Sequence, residues 1–388
     1  MRPALTFAAL SASLLVLSAC SGDAAAPTQT DITGTLTSED GLKLVPLAEG
    51  LEFPWAIAEL PGGELLVTER EGRLRLIREG ALVDTPLAGL PDDILVARQG
   101  GLLDILLAPD FETSRKVLLS YSKDLGDGMN TTAVISASLN EELTGLSGVI
   151  EIFRGTPRNT AFHYGSRLAF LPDGSLAIGL GDGYRYMQDA QDPNNLHGKI
   201  ARILPNGTYP DNNPFATGGG DPGVWSWGHR NVQGLIYDET RDMLFAHEHG
   251  PKGGDELNVI EAGKNYGWPA ISYGIDYDGS IITDKTEAPG MEQPAVKWVP
   301  SIAPSGMSLV RTPDFGDWSG DLLIGAMNGP AGQKLVRVDL DETGGVVGTE
   351  DLLDDLQIAY RDVLSTERGL YVATADLDGF VYKVEKAS

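Results

Sequence analysis

The stretch Pro172-Asp173-Gly174, followed closely by Leu176-Ala177-Ile178, shows the pattern that predicts the fold: a tight turn and then a short apolar strand. Five further copies have turns at residues 61–63, 109–110, 238–242, 313–321 and 367–369, followed by strands at residues 65–67, 117–119, 243–245, 322–324 and 370–372. A spacing of roughly 50 to 80 residues suits one four-stranded blade per copy, whereas solenoid repeats are shorter and more regular. We therefore predict an all-β chain folded as a six-bladed β-propeller.

The composition agrees with this architecture. The 48 glycines and 23 prolines fit many tight turns, and no helical periodicity persists over a window of about 15 residues. A length of 388 residues alone suggests about two or three domains, but an all-β propeller can reach that size as one unit. We predict a single propeller over residues 41–388, with a pair of β-sandwiches as the alternative.

The chain is strongly acidic. It carries 55 acidic and 29 basic side chains, for a formal net charge of -26. Such a charge repels nucleic-acid phosphates and anionic membrane surfaces over long range. We therefore expect no nucleic-acid partner.

The N-terminus resembles a bacterial lipoprotein signal. Arg2 precedes an apolar run at residues 8–17, too short to span a membrane as a helix, and the segment ends in Leu17-Ser18-Ala19-Cys20. Cys20 is the only cysteine, so no internal disulfide can form, and lipidation is its best use. We predict a signal peptide over residues 1–20 and a flexible tether over residues 21–40, with an ordinary secretory signal as the alternative. Ser21 favours a periplasm-facing lipoprotein that is anchored in the outer membrane by its lipid alone.

Polar groups and glycines cluster in segments that adjoin predicted strands of different blades. These segments are His163 to Leu168, Gly228 to Asn231, His247 to Pro251, Asp255-Glu256 and Lys264 to Pro269. A fold does not need such clustering. Because loops at one end of a propeller channel converge, the clustering predicts a binding or catalytic site there.

The residues also resemble a known family. Over roughly residues 45–385 the chain resembles the soluble quinoprotein aldose and glucose/sorbosone dehydrogenases, which carry pyrroloquinoline quinone (PQQ) and calcium on a six-bladed propeller. The matching stretches are Leu51 to Trp55, Gln99 to Leu103, Leu180 to Asp182, Gly228 to Asn231, His247 to Asn258, Asn265 to Pro269 and Ser301 to Gly306. The resemblance implies that aldose sugars are oxidised at C1 to lactones by hydride transfer to the quinone.

Two residues match the catalytic groups of that family. Oxidation of a sugar hemiacetal needs a base for the hydroxyl proton, and neutral imidazole suits that task near pH 7. His163 is the expected general base, unless its hydrogen bonds serve only a blade loop. Arg230 is expected to stabilise charge on the quinone oxygen.

Further matches concern the cofactor. The resemblance implies that PQQ is contacted by Gln99, Asp182, Gln188, Arg230, Asn231 and Arg361. Asp182 is expected either to orient a neighbouring group or the substrate, or to cap the turn that follows Gly181.

The chain departs from the family where basic residues usually meet the cofactor carboxylates. Asn328 stands where a lysine is usual, and Ala359 removes one of two arginines, leaving Arg361. Lys334 or Arg311 could substitute from a shifted loop. Each missing charge-assisted bond would lower affinity roughly ten- to a hundredfold.

Calcium is the expected metal, because hard cations prefer oxygen ligands. The resemblance implies that the carbonyls of Gly250 and Pro251 hold the ion that contacts PQQ. It also implies a second ion at Glu256 and the backbone of Tyr266.

Histidines and tryptophans allow other interpretations. His247 and His249 have the i, i+2 spacing of two zinc ligands on one strand face. The tryptophans could stack on a quinone or sugar, but packing is the expected role for most of them; they are Trp225, Trp227, Trp268 and Trp298.

Two functions remain open at this point. The first is an aldose dehydrogenase that passes electrons from a sugar to a small acceptor. The second is a non-catalytic propeller that keeps calcium and binds a glycan or a protein. Nothing in the sequence indicates the sugar, the acceptor or the oligomeric state.

Overall fold

A computed structural model of the protein describes residues 34–327 and 332–387. The predicted signal peptide with Cys20, most of the predicted tether and Asn328 lie outside the described residues. Within them, the strands form six antiparallel sheets, which confirms the predicted all-β six-bladed propeller. No helix in this part of the chain has the length and apolar character needed to cross a membrane.

The strands follow the chain blade by blade, and both ends of the chain meet in blade 6. The outer strands of blade 6 come first: β1 (Leu36–Thr37) and β2 (Leu42–Leu51). Blades 1 and 2 contain β3 (Pro54–Glu59), β4 (Leu65–Glu69), β5 (Arg73–Arg78) and β6 (Ala81–Leu82), then β7 (Leu102–Leu107), β8 (Lys116–Gly126), β9 (Met129–Leu139) and β10 (Leu146–Arg154). Blades 3 and 4 contain β11 (Gly165–Phe170), β12 (Leu176–Leu180), β13 (Lys199–Ile203) and β14 (Val224–Trp227), then β15 (Val232–Asp238), β16 (Met243–Glu248), β17 (Asp255–Ile260) and β18 (Val296–Trp298). Blade 5 and the rest of blade 6 contain β19 (Pro304–Leu309), β20 (Leu322–Ala326), β21 (Lys334–Leu340) and β22 (Val346–Leu352), then β23 (Tyr360–Thr366), β24 (Gly369–Thr374) and β25 (Gly379–Lys386).

Helical segments are short and lie between strands. They are one α-helical turn, α1 (Phe111–Ser114), and 3-10 turns at Met187–Gln191, Pro313–Trp318 and Asp354–Leu356. None has the length to form a separate packing layer.

The six turn-and-strand copies each form the second strand of a blade. These strands are β4, β8, β12, β16, β20 and β24. In β12 and β20 every residue is buried, because a central strand is covered by the neighbouring blade on each face. This burial explains why the copies are continuous apolar runs rather than alternating ones.

The ring closes through blade 6. The innermost strand of each blade contacts the innermost strands of both neighbours, so β23 contacts β3 and β19. Strand β2 from the N-terminal side pairs with β25 from the C-terminal side, with Leu44 opposite Val384. This pairing completes the last blade and leaves no gap between the two ends of the described chain.

The predicted tether ends too late in the sequence. Leu36–Thr37 pair with β2, and the amide of Leu353 donates a hydrogen bond of 2.7 Å to Asp40. Residues 36–40 are therefore part of blade 6. Two strand residues give too short a pattern for sequence periodicity to reveal.

Ion pairs close the centre of the channel. Arg167 on β11 binds Asp104 on β7 at 3.0 Å and Asp362 on β23 at 2.9 Å. The ring of Trp55 lies between the guanidinium groups of Arg167 and Arg361, at 4.2 and 4.1 Å. These contacts join blades 2, 3 and 6 beneath the loops that carry the candidate site.

Candidate active site

His163 and Asp182 form a buried pair on two loops of blade 3. His163 precedes β11 and Asp182 follows β12, and Nδ1 of the imidazole lies 2.7 Å from Oδ1 of the carboxylate. The same carboxylate accepts hydrogen bonds from the amide of Tyr184 at 2.7 Å and from Nε1 of Trp268 at 2.8 Å. Burial alone would raise the pKa of Asp182, but His163 and Arg230 hold it below its ordinary value. The group is therefore a carboxylate that only accepts hydrogen bonds.

This partner fixes the tautomer of His163. Because Asp182 can only accept, Nδ1 of His163 carries the proton and Nε2 is left as the free acceptor. Nε2 makes no hydrogen bond with any described residue. Burial, and next the positive charge of Arg230, lower the pKa of His163 below 6.5, although Asp182 acts in the opposite direction. A neutral imidazole with a free Nε2 can accept a proton near pH 7.

The loop around His163 is held tightly. His163 has a left-handed backbone, with φ of 52°. Its amide donates to Oε1 of Gln99 at 2.8 Å, and its carbonyl accepts from Nη1 of Arg158 at 2.7 Å. Gly181 lies against it, where an added Cβ would fall 1.9 Å from the His163 carbonyl oxygen. Only glycine fits there, which explains the glycine before Asp182.

Asp182 makes the contacts that both of its expected roles require. Its bond from the Tyr184 amide caps the turn, and its bond to His163 orients the imidazole. The two predicted roles do not compete, since one carboxylate oxygen serves both. Asp182 itself does not line the larger cavity described below.

Arg230 and Asn231 lie between β14 and β15 in the same region. Nη1 of Arg230 donates to the carbonyl of Gly250 at 2.7 Å, and its guanidinium lies 5.3 Å from the ring of Trp268. Nε of Arg230 is buried without a partner among the described residues. Oδ1 of Asn231 accepts from the amide of Gly165 at 3.1 Å.

A cavity of about 150 Å³ opens beside these groups. Among the predicted cofactor contacts it is lined by Gln99, Asn231 and Arg361. Its other lining residues are Phe53, Pro54, Trp55, Arg70, Leu103, Tyr164, Gly165, Gln233, His249, Met327 and Ala375. Aromatic and apolar walls with a few polar groups are typical of a site for a small organic molecule.

Gln188 is not brought to this cavity. It is exposed in the 3-10 turn Met187–Gln191, which begins soon after Tyr184. Tyr184 has φ of 66°, so the chain turns away directly after the Asp182 cap. The expected contact between Gln188 and PQQ is therefore not supported.

Neither proposed substitute for the missing basic residues reaches the site. Lys334 on β21 pairs with Asp351 on β22 at 2.5 Å. Arg311 lines a different cavity, which also contains Arg167 and Asp362. Arg70, which the sequence did not single out, lines the site cavity instead.

The four predicted metal residues all line one small cavity of about 10 Å³. These residues are Gly250, Pro251, Glu256 and Tyr266. Glu256 on β17 lies opposite Glu248 on β16, and both line this cavity. Burial, and next the charge of Glu248, raise the pKa of Glu256 to about 8. Two carboxylates crowded in a desolvated place fit a hard cation with oxygen ligands.

The described residues do not support His247 and His249 as zinc ligands. The ring of His247 faces Gly234, where an added Cβ would fall 2.2 Å from Nε2. His249 lies after the end of β16, and its Nε2 is 2.7 Å from the carbonyl of Pro304. In residues 34–327 and 332–387, no group of three or more His, Cys, Asp or Glu side chains is placed to hold a metal.

Two contributors to the site were given no specific role in it by the sequence. Trp268 lies in the clustered segment Lys264 to Pro269, and packing was the expected role for most of the tryptophans, but Nε1 of Trp268 donates to Asp182. Arg158 is a single arginine outside the clustered segments, yet it binds the His163 carbonyl and Thr132 and lies 4.6 Å from the ring of Tyr164. Trp268 reaches Asp182 from 86 positions away, so spacing could not reveal that contact. Arg158 lies only five positions before His163, but its role depends on the fold of the loop that brings its guanidinium to the His163 carbonyl.

The model of the glucose/sorbosone dehydrogenase family matches residues 51–383. The chain belongs to this family. It is 40% identical over 346 residues to the aldose sugar dehydrogenase YliI of Escherichia coli K12, covering 87% of this chain and 91% of that protein. A crystal structure of a glucose dehydrogenase matches with a TM-score of 0.84 and 40% identity, over 89% of this chain and 99% of that one. The PQQ-bound aldose sugar dehydrogenase of Streptomyces coelicolor matches with a TM-score of 0.73 and 29% identity, over 89% and 97% of the two chains. Membership of the family and the propeller fold thus rest on independent comparisons.

Proposed function

We propose that the protein oxidises aldose sugars at C1 to lactones, with PQQ as electron acceptor and calcium as the metal. The observation that carries this proposal is the hydrogen bond between His163 and Asp182, which leaves Nε2 of His163 as a free acceptor. The backbone amide of His163 is also hydrogen-bonded to Gln99, which lines the cavity. The PQQ-bound relative from Streptomyces coelicolor supports the choice of cofactor.

Different residues would bind the cofactor, bind calcium and accept the proton. Gln99, Asn231 and Arg361 would hold the cofactor in the cavity, and the carbonyls of Gly250 and Pro251 with Glu256 would hold calcium. Bound PQQ would supply a two-electron acceptor for the hydride from C1, polarised by calcium. His163 takes the proton of the C1 hydroxyl on Nε2 and becomes an imidazolium. Asp182 stabilises that charge, because its carboxylate lies 2.7 Å from Nδ1.

Arg230 would stabilise the negative charge that develops during the reaction. Its guanidinium is fixed by the Gly250 carbonyl, by Trp268 and by its place between two strands. A fixed cation stabilises negative charge without reorganising during the reaction. Its Nε is buried and makes no hydrogen bond with the described residues.

Reconstitution tests the proposal against a non-catalytic glycan- or protein-binding propeller. Purified protein is incubated with PQQ and Ca²⁺, and dye reduction is followed with a panel of aldoses. We expect turnover that requires all of PQQ, calcium and sugar. A protein that binds sugar without dye reduction or quinone absorbance change would favour the binding protein instead. A control with Mg²⁺ in place of Ca²⁺ separates a calcium requirement from a general need for divalent ions.

We further propose that the enzyme is a lipoprotein of the cell envelope that faces the periplasm from the outer membrane. The support is the signal sequence that ends at Cys20, with Ser21 after it. Wild-type protein is expected to incorporate labelled palmitate and to fractionate with the outer membrane. Cys20→Ser should lose the label, and a variant that keeps it would refute lipidation at this residue.

A further inference from the structure

Two guanidinium groups, those of Arg70 and Arg361, line the same cavity of about 150 Å³. Arg361 donates to Oε1 of Gln233 at 3.0 Å and contacts the sulfur of Met327 at 3.6 Å. Arg70 makes no hydrogen bond to any described side chain, and its one ion pair, with Glu71, spans 3.9 Å. Neither cation hydrogen-bonds a carboxylate within the described residues.

A buried cation without a bonded anion is costly, and two cations on one cavity add to that cost. Arg361 is only 6% exposed. Burial, and next the charge of Arg167, lower the pKa of Arg361 to about 9; Arg70 acts in the same direction, and Asp362 and Asp104 only partly offset it. An anion placed in the cavity between these groups would offset both the burial of Arg361 and its repulsion from Arg70. The arrangement is therefore complementary to a carboxylate ligand.

The backbone of Arg70 is held in place before any ligand arrives. Its amide donates to the carbonyl of Phe53 at 3.0 Å, and its carbonyl accepts from the amide of Leu102 at 3.3 Å. Gly101 packs so closely that an added Cβ would fall 1.7 Å from the Arg70 carbonyl oxygen. The guanidinium itself lies 4.2 Å from the ring of Phe53, which also lines the cavity. Such fixed placement reduces the entropy that a ligand must remove on binding.

We propose that Arg70 and Arg361 form a carboxylate-binding subsite, in which Arg70 binds an acidic group of a planar polycarboxylate that occupies the cavity. Insofar as this ligand is PQQ, the inference rests on the proposed function. Arg361 was already expected to contact the cofactor, whereas Arg70 is assigned by the cavity alone.

Absorbance titration of PQQ into the protein with Ca²⁺ present tests the subsite without any turnover. Arg70→Gln is expected to weaken PQQ binding about ten- to a hundredfold, because one charge-assisted bond is lost. Arg70→Lys should retain part of the affinity, since it keeps the charge but loses the planar fork. Added NaCl should weaken binding more in the wild type than in Arg70→Gln.

Arg98→Gln is the matched control, because Arg98 is exposed one residue before the cavity residue Gln99. It should bind PQQ like the wild type. Circular dichroism melts check that all variants are folded. Arg70→Gln that binds PQQ within about twofold of Arg98→Gln would overturn the subsite and leave the proposed function standing.

The converse failure is also distinguishable. If wild-type protein binds no PQQ, the proposed function fails, and pyridine-2,6-dicarboxylate becomes the probe. Calorimetric binding of this compound that disappears in Arg70→Gln would support a carboxylate subsite for another ligand. No binding of the compound to the wild type would overturn the subsite as well.

Discussion

Replacing Asp182 by asparagine should disturb the hydrogen bond that orients His163, while keeping the size of the side chain. The carboxylate accepts from His163, Tyr184 and Trp268, at 2.7, 2.7 and 2.8 Å. An amide has one accepting oxygen, so its nitrogen must face either the His163 side or Trp268. In the first case Nδ1 of His163 becomes the acceptor, and the proton moves to Nε2, where it blocks proton transfer.

The magnitude follows from these bonds. Each hydrogen bond to a charged group contributes about 1.5 to 3 kcal/mol, and at least one is lost in either orientation. We expect the unfolding free energy to fall by about 2 kcal/mol. In a serine protease, the equivalent change to the histidine's carboxylate partner lowers kcat by about 10⁴ through the wrong tautomer. Here we expect a fall in kcat of about 10² to 10⁴, with the dissociation constant of PQQ unchanged within about threefold.

Steady-state dye reduction measures kcat, and titration with PQQ measures its dissociation constant separately. Asp189→Asn is the matched control, since Asp189 pairs with a different histidine, His197, at 2.9 Å in the same blade. It should keep the wild-type kcat. Asp182→Asn with a kcat within about threefold of Asp189→Asn, in folded and PQQ-loaded protein, would refute the tautomer argument.

Three other expectations follow from the same contacts. Burial and Arg230 lower the pKa of His163 below 6.5, so kcat/KM should stay high at pH 6.5 and fall only as the pH drops through the lowered pKa; an acid limb of kcat/KM above pH 6.5 would contradict this. Because the unfolded chain binds the proton at the ordinary pKa of histidine, the unfolding free energy should begin to fall around pH 6.5 and continue to fall until the pH passes the lowered pKa of the folded protein. Gly181→Ala should lower the unfolding free energy, measured by denaturant titration, by about 1 to 3 kcal/mol. Gly348→Ala, at an open exposed position, should not lower it. Equal unfolding free energies for the two variants would argue against the close approach of Gly181 to His163. Above pH 8, where Glu256 is ionised, Glu256→Gln should raise the Tm of calcium-free protein by removing a like-charge contact with Glu248, and it should reduce the Tm increase on adding Ca²⁺. An undiminished calcium shift would place the ion elsewhere.

The fold was predictable because its signal is local and repeated. Each turn and apolar run, such as the one at residues 172–178, forms within one hairpin and recurs in every blade. The end of the predicted tether was misplaced because Leu36–Thr37 pair with β2 through backbone hydrogen bonds, which leave little trace in side-chain pattern. Backbone pairing of a short edge strand is a tertiary property.

The candidate site was predictable only in part. Gln99, Asn231 and Arg361 come together at one cavity because each lies at a strand end on the same side of the ring. Trp268 was given no role in the site because its partner, Asp182, lies in another blade, and Arg70 was missed because only the folded ring brings it to the cavity that Arg361 lines. Lys334 was proposed from its position in the chain, but the register of β21 and β22 pairs it with Asp351. Which side chain faces which neighbour depends on blade register, and a single sequence does not state that register.

The most direct test is a single-turnover experiment with and without the base. Wild-type and His163→Ala proteins are loaded with PQQ and Ca²⁺, freed of excess cofactor and mixed with an aldose, and the quinone absorbance is followed. The wild type should reduce its bound quinone, whereas His163→Ala should hold the quinone with an affinity within a few-fold of wild type and leave it oxidised. Reduction at the wild-type rate in the variant would contradict the assignment of His163 as the base.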